Sequence, residues 1–311
     1  MKLKKLAAIS LSLLLIAVLG LSSCAPKTET KGPIVVASKI DTEGSLLGSM
    51  IRLLLEKEGF AVTDKVQLGA TGVVRKALLA GEIDIYPEYT GNAAFFHDEA
   101  DSPIWKDAAA GWKRAAELDA PLGLVWLRSA PANNTWAIAL RKDLAGAEGL
   151  ATMSDLGRYV RAGGRLKLAG SEEFVTSAAA LPAFQAAYGF VLRQEQLLVL
   201  SGGNTAATEK AAADGTDGVN AAMAYGTDGQ LAAFGLVVLA DDLGVQPVYE
   251  PAPVVRKAIL ERYPELESAL APAFAKLDLV SLQTLNGRIA VEGENPLEVA
   301  RSWLKAQGLL N

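Results

Sequence analysis

The chain has 311 residues, half of them hydrophobic and 21% charged, with a formal net charge of −5, one cysteine and one histidine. That balance gives a nucleic-acid role no electrostatic support. One cysteine excludes a disulfide framework or a cysteine metal site, and one histidine excludes a histidine-based triad, a His-rich zinc site and a facial metal triad.

The chain opens MKLKKLAAISLSLLLIAVLGLSSC. Lys2, Lys4 and Lys5 form a cationic start, and Leu6 to Leu21 an apolar stretch too short and too abruptly ended for a membrane span. Leu21-Ser22-Ser23-Cys24 resembles a bacterial lipobox, which predicts cleavage before Cys24 and a two-chain lipid anchor, each buried methylene being worth about 0.8 kcal/mol. The plainer alternative is an ordinary secretory signal with a chance cysteine. Residues 1–23 are therefore expected as signal peptide and 24–32 as a lipid-anchored linker. Loss of the three leader lysines takes the net charge to about −8 and leaves about 290 residues, enough for two packed domains.

After the linker, Ile34-Val35-Val36-Ala37 reads as a buried strand. Leu47, Ile51, Leu54 and Leu55 then recur at helical spacing before the stop Gly59. A strand at Val66 to Leu68, a helix from Thr71 to Ala80 and a strand from Ile83 to Tyr86 follow, a succession that predicts a parallel sheet with crossover helices. The pattern restarts after Trp136. Ala137 to Leu140 reads as a strand, Ser154 as a helix cap, and Leu166 to Ala169, Leu197 to Leu200 and Val237-Val238-Leu239 as further strands. Beyond a short β-like piece, Pro253-Val254-Val255, helices carrying Leu266, Leu270, Phe274 and Leu277 have few strands of their own to cover. They are expected to pack back on the first sheet, which makes that lobe discontinuous: 33–136 plus 243–311, with 137–242 as the second lobe. Ligands of open α/β folds bind beyond the carboxyl ends of strands, so the cleft between lobes is the expected site.

No P-loop or dinucleotide fingerprint follows a strand. Gly215-Thr216-Asp217-Gly218 and Gly226-Thr227-Asp228-Gly229 read as turns, Asp228 as a helix cap, and His97 in HDEADS as a solvated loop residue. The acid pairs Asp98/Glu99 and Glu172/Glu173 leave a carboxylate-pair glycosidase as the enzyme alternative. What stands out is where the scarce aromatics lie. Tyr89, Trp136, Tyr225 and Tyr249 come from four separate stretches, each at or just past a strand end beside turn residues. A cage of ring faces suits a quaternary ammonium, which has no N–H to donate, at about 2 kcal/mol per well-desolvated face. Trp105, Trp112, Trp126 and Trp303 fit apolar core patterns, and Tyr86 reads either way.

Five ordered motifs carry a family resemblance across the mature chain: ASKIDTEGSLLG, GEIDIYPEYTGNAAFF, APANNTWAIALRKDL, AYGTDGQL and DDLGVQPVYEPAPVVR. They resemble the substrate-binding lipoproteins of ABC importers for osmoprotectants such as glycine betaine, carnitine and choline, closest to the OsmF-like branch. The resemblance implies an α/β, two-lobed periplasmic-binding-protein fold of type II. Each lobe would hold a mixed, mostly parallel sheet flanked by helices, with two crossing segments between lobes. It also implies an aromatic box of Tyr89, Trp136 (where the family often has tyrosine), Tyr225 and Tyr249, with Ser38 and Asn92 as polar contacts. Two departures matter. Asn92 stands where threonine or aspartate is more familiar, which does not favour choline, and Asp41 and Gly44 stand where phenylalanine and glutamine are common. The implied function is capture of a quaternary amine, with no chemistry performed on it and no cofactor or metal, and delivery to an ABC permease. The expected protein is a monomer in the cell envelope, lipid-anchored to the outer face of the cytoplasmic membrane or in the periplasm. A same-fold alternative is capture of another zwitterion or amino acid, and an envelope structural lipoprotein is a further class.

Overall fold

The computed structural model describes residues 31–201 and 205–311, so the leader, Cys24 and most of the linker lie outside the described residues. Among the described residues there are ten strands: β1 (Lys31–Lys39), β2 (Phe60–Gly69), β3 (Ile85–Tyr89), β4 (Leu124–Trp126), β5 (Trp136–Arg141), β6 (Leu168–Ser171), β7 (Leu197–Leu200), β8 (Ala221–Tyr225), β9 (Leu236–Val238) and β10 (Pro251–Arg256). Lys31 and Gly32, expected as linker, are already strand.

The strands form two five-stranded sheets, ordered β2-β1-β3-β10-β4 and β7-β6-β8-β5-β9. Parallel pairs come from the strand-helix-strand runs: β1 beside β3, and β6 between β7 and β8. The antiparallel pairs come from the strands that enter from the crossing segments. β10 runs against β3 and β4, and β5 against β8 and β9. In the second sheet this makes the two kinds of pair equal in number, so the sheets are mixed with less parallel character than the βαβ pattern alone implies. One consequence positions the site. The starts of β5 and β10 lie beside the ends of β8 and β3, with Trp136 opposite Tyr225 and Pro251 opposite Tyr89.

Strand alternation sorts the cores. On β5, β6 and β8, Ile138, Leu168 and Met223 pack with Phe174 and Phe184 on one face. Ala139, Ala169, Ala222 and Ala224 give the other face, where small side chains let the Thr205–Asp214 helix approach. In the first sheet, Ile34, Val36, Leu47, Ile51 and Leu54 share a core with Leu266, Leu270, Phe274 and Leu277, so the C-terminal helices do return to cover it. Trp105 and Trp126 are buried in the core on that sheet's other face, while Trp112 and Trp303 pack against cores half-buried.

Local signals set the helix starts. Asp41 caps the Thr42–Lys57 helix by accepting from Gly44 N at 2.7 Å. Gly44 is needed for this turn, since a Cβ there would lie 2.8 Å from the Lys39 carbonyl oxygen. Ser154 does not cap its helix. Thr152 does, in a reciprocal capping box with Asp155, because the chain turns two residues earlier at the bridge to Ala240.

Candidate functional site

The strand ends converge on a cavity of about 510 Å3 whose lining includes Tyr89, Trp136, Tyr225 and Tyr249, together with Asn92. Each ring is held by a different element. Trp136 and Tyr225 are cross-strand partners on β5 and β8, and buried Phe174 meets the Trp136 ring edge-to-face at 6.0 Å between centroids. Tyr249 precedes β10. Its amide donates to Asn133 Oδ1 at 2.8 Å and its carbonyl accepts from Asn134 N at 3.0 Å, so the two crossing segments are bonded to each other. Its ring lies over Gly91, where a Cβ would sit 2.6 Å from the Tyr249 Cε1 atom.

Tyr89, 7% exposed, is the most fully fixed of the four. Its hydroxyl donates to Glu43 Oε1 at 2.7 Å, its amide donates to Glu88 Oε1 at 2.7 Å, and the Lys39 ammonium lies 4.4 Å from the centroid of its ring. Glu88 is wholly buried. It pairs with Lys39 and also accepts from Tyr86 Oη and from Asn92 Nδ2. Burial pushes the Tyr89 phenol well above the ordinary range, raises that of Tyr225, and takes Tyr249 to about 12. The rings therefore stay neutral at any physiological pH.

Two expected polar contacts fare differently. Asn92 lines the cavity, but one of its amide hydrogens is already given to Glu88. Ser38 does not line it. It is fully buried at the end of β1, where its hydroxyl donates to the Lys39 carbonyl and accepts from Gln67 N at 2.9 Å, so its one proton is committed to the backbone. Neither acid pair flanks the aromatic cavity. Glu99 is paired with Arg114, and Glu172 and Glu173 sit in the first turn of a helix capped by Ser171, with only Glu173 reaching the cavity wall.

His97 is half-buried and paired instead of freely solvated. Its Nε2 lies 2.8 Å from buried Asp119, which also binds Arg75 and accepts from Trp126 Nε1 at 2.8 Å. Asp228 caps a turn instead of a helix, its Oδ2 accepting from Tyr225 N at 2.7 Å. Behind it, buried Glu209 is pushed up to about 10 by burial first and by the Asp228 charge second.

Asn134, Thr135 and Gln246 also line the cavity, and no lysine or arginine does among the described residues. Gln246 is anchored by its amide N to Asp241 Oδ2 and by Nε2 to the Ala179 carbonyl, each bond about the usual length. Sequence reasoning passed over these three, although all lie inside APANNTW and DDLGVQPVYE, one to three residues from an aromatic. Phe95, 61% exposed at the cavity's edge, was passed over too.

Residues 32–306 match the family described as the substrate binding domain of ABC-type glycine betaine transport systems. The chain belongs to this family. It is 54% identical over 281 residues to the glycine betaine-binding protein YehZ of Escherichia coli, covering 90% of this chain and 92% of that protein. A glycine-betaine-binding protein of Pseudomonas aeruginosa is 32% identical over 282 residues, covering 89% and 88%. The solved apo structure of YehZ superposes with a TM-score of 0.87 over 90% of this chain and all of that one. A glycine betaine/carnitine/choline ABC transporter protein, 24% identical with a TM-score of 0.78 over 89% of this chain and all of that one, shares the fold. The architecture is thus the two-lobed binding-protein fold. Membership makes the chain the substrate-binding component of an ABC-type transport system, an extracytoplasmic partner of a permease and not an enzyme.

Proposed function

We propose that this protein captures glycine betaine, or a closely related quaternary-ammonium osmoprotectant, in the aromatic cavity and hands it to an ABC importer permease. The observation that carries the reading is the meeting of Tyr89, Trp136, Tyr225 and Tyr249 around one cavity from four separate chain segments. Three or four ring faces at about 2 kcal/mol each supply roughly 6 to 8 kcal/mol before ordering costs, enough for micromolar or weaker binding. The names of the two bacterial relatives described above support the choice of ligand. With no cationic side chain in the wall, the ligand's carboxylate meets neutral donors, among them Asn92, Asn134, Thr135 and Gln246, each of which carries an N–H or O–H. Asp101 and Glu173, the acids on the wall, favour the cationic end and disfavour a second carboxylate.

The reading includes two lobes, 33–136 plus 243–311 and 137–242, closing on the ligand, and a monomer anchored through Cys24. Calorimetric titration of the full-length protein in a non-ionic detergent, with glycine betaine against choline and proline, tests it. Saturable one-to-one binding with glycine betaine preferred is the expected result. Absence of binding by glycine betaine sinks the ligand assignment.

A further inference from the structure

Glu43 lies outside the aromatic cavity, in the first turn of the Thr42–Lys57 helix, and is 5% exposed. Three groups converge on its carboxylate. Tyr89 Oη donates to Oε1 at 2.7 Å, Asn286 Nδ2 donates to Oε2 at 2.6 Å, and the Thr227 hydroxyl faces the same carboxylate and favours its charged form. Tyr89 belongs to the cavity and Asn286 to the Leu279–Ala290 helix that covers the first sheet. Thr227 belongs to the turn after β8 of the second sheet. Asn286 spans the same join, giving its second hydrogen to the Thr227 carbonyl at 2.9 Å, and Gln283 Nε2 donates to the Gly226 carbonyl at 2.7 Å. The backbones touch beside it, for a Cβ on Gly229 would lie 2.3 Å from Gly287 N.

We propose that Glu43 is a positioning residue that couples ring and closure: one carboxylate holds the hydroxyl of the cavity tyrosine Tyr89 and latches the Thr227 turn of the opposite lobe. The inference rests on the quaternary-amine reading of the cavity. A carboxylate buried this deeply is stable only while its donors are present. When the lobes part, Thr227 leaves and water reaches Glu43. When they close, the carboxylate regains its full set of donors, and Tyr89 is fixed in the orientation that faces the ligand's cation. The latch is made after the ligand has entered, so it governs release more than entry. Burial also pushes the Glu43 carboxyl up, which fits a group that depends on its donors to stay in place.

The test is stopped-flow binding of glycine betaine to the full-length protein by intrinsic fluorescence, with Thr227→Val, Asn286→Leu and Glu43→Ala. Thr227→Val removes the cross-lobe hydroxyl at near-constant volume and is expected to raise the release rate about tenfold while the association rate stays within about twofold. Thr227→Ser is expected to restore slow release, which a merely structural role for the side-chain shape does not predict. Asn286→Leu and Glu43→Ala are expected to act in the same direction and more strongly. Wild-type binding with release rates unchanged in Thr227→Val and Asn286→Leu overturns the latch and leaves the ligand reading standing. Failure of the wild type to bind glycine betaine overturns both.

Discussion

Trp136 and Tyr225 are directly opposite each other across the antiparallel β5–β8 pair, and both side chains reach the same cavity wall. The pairing joins the first residue of a strand that arrives from a crossing segment to the last residue of a strand that ends at the cleft. Neither Cα could be moved without shifting the register of the second sheet, because Ala137 to Leu140 pair in step with Ala224 to Ala221 behind them.

Replacing either ring by alanine should therefore remove a preset face and little else. Trp136→Ala and Tyr225→Ala are each expected to weaken glycine betaine binding by about 2 kcal/mol, roughly thirtyfold. Because the two rings touch the same ligand, the double variant is expected to lose a different amount from the sum. Titration calorimetry on the three variants measures this, and an affinity unchanged in both single variants removes the cage assignment.

Gly91 offers a subtler test of the third ring. Its backbone is ordinary right-handed helical, so alanine is not strained there, yet its Cβ would collide with the Tyr249 ring at 2.6 to 2.8 Å. The ring must move and the fold need not. Gly91→Ala is expected to reduce affinity at least tenfold with a small change in melting temperature; equal affinity would mean that Tyr249 can shift without consequence for the ligand.

The convergence of the four aromatics was readable from sequence because strand ends are marked locally by turn residues and by the stop of an apolar run. The same local rules failed where partners are remote. Ser38 and Lys39 end β1 side by side, and alternation alone would send one of them to solvent. Both are buried, because Lys39 pairs with Glu88 on β3 and Ser38 binds the backbone of Gln67 on β2. His97 sits in a polar run that reads as exposed, and only the fold brings it to Asp119. Glu43 and Asn286 are 243 residues apart, and nothing in either neighbourhood announces the other. The parallel share of the sheets was overestimated for a related reason. Strand direction after a crossing segment depends on which lobe the chain enters, which composition does not encode.

The His97–Asp119–Arg75 cluster is built for stability under the first sheet, away from the cavity. Burial alone would raise the Asp119 carboxyl, but Arg75, His97 and Trp126 outweigh it and hold it below the ordinary range. A depressed folded-state carboxyl contributes stability above its unfolded value near 3.8, and that contribution is lost as pH falls through the folded value. Asp119→Asn leaves the Arg75 charge buried without its partner and is expected to destabilise the protein by about 3 kcal/mol or more. Urea melts at neutral pH and near pH 3 check both statements: the variant should lose most at neutral pH and approach wild type in acid.

Glu209 has the opposite sign. Wholly buried on the Thr205–Asp214 helix, it finds no hydrogen-bond donor at its carboxyl oxygens among the described residues and faces Asp228, so a proton held between the two acids relieves both. Its folded value of about 10 lies above its unfolded value of 4.5. The stability it contributes is therefore complete below pH 4.5 and drains away as pH rises toward 10, by at most about 1.4 kcal/mol per pH unit. Glu209→Gln keeps a donor toward Asp228 and abolishes this drain. Wild type is expected to lose urea stability steadily from pH 6 to pH 9, and Glu209→Gln to decline less and overtake it at the alkaline end. Parallel curves for the two proteins would show that Glu209 already reaches water in the folded state and that the proton between the acids is not there.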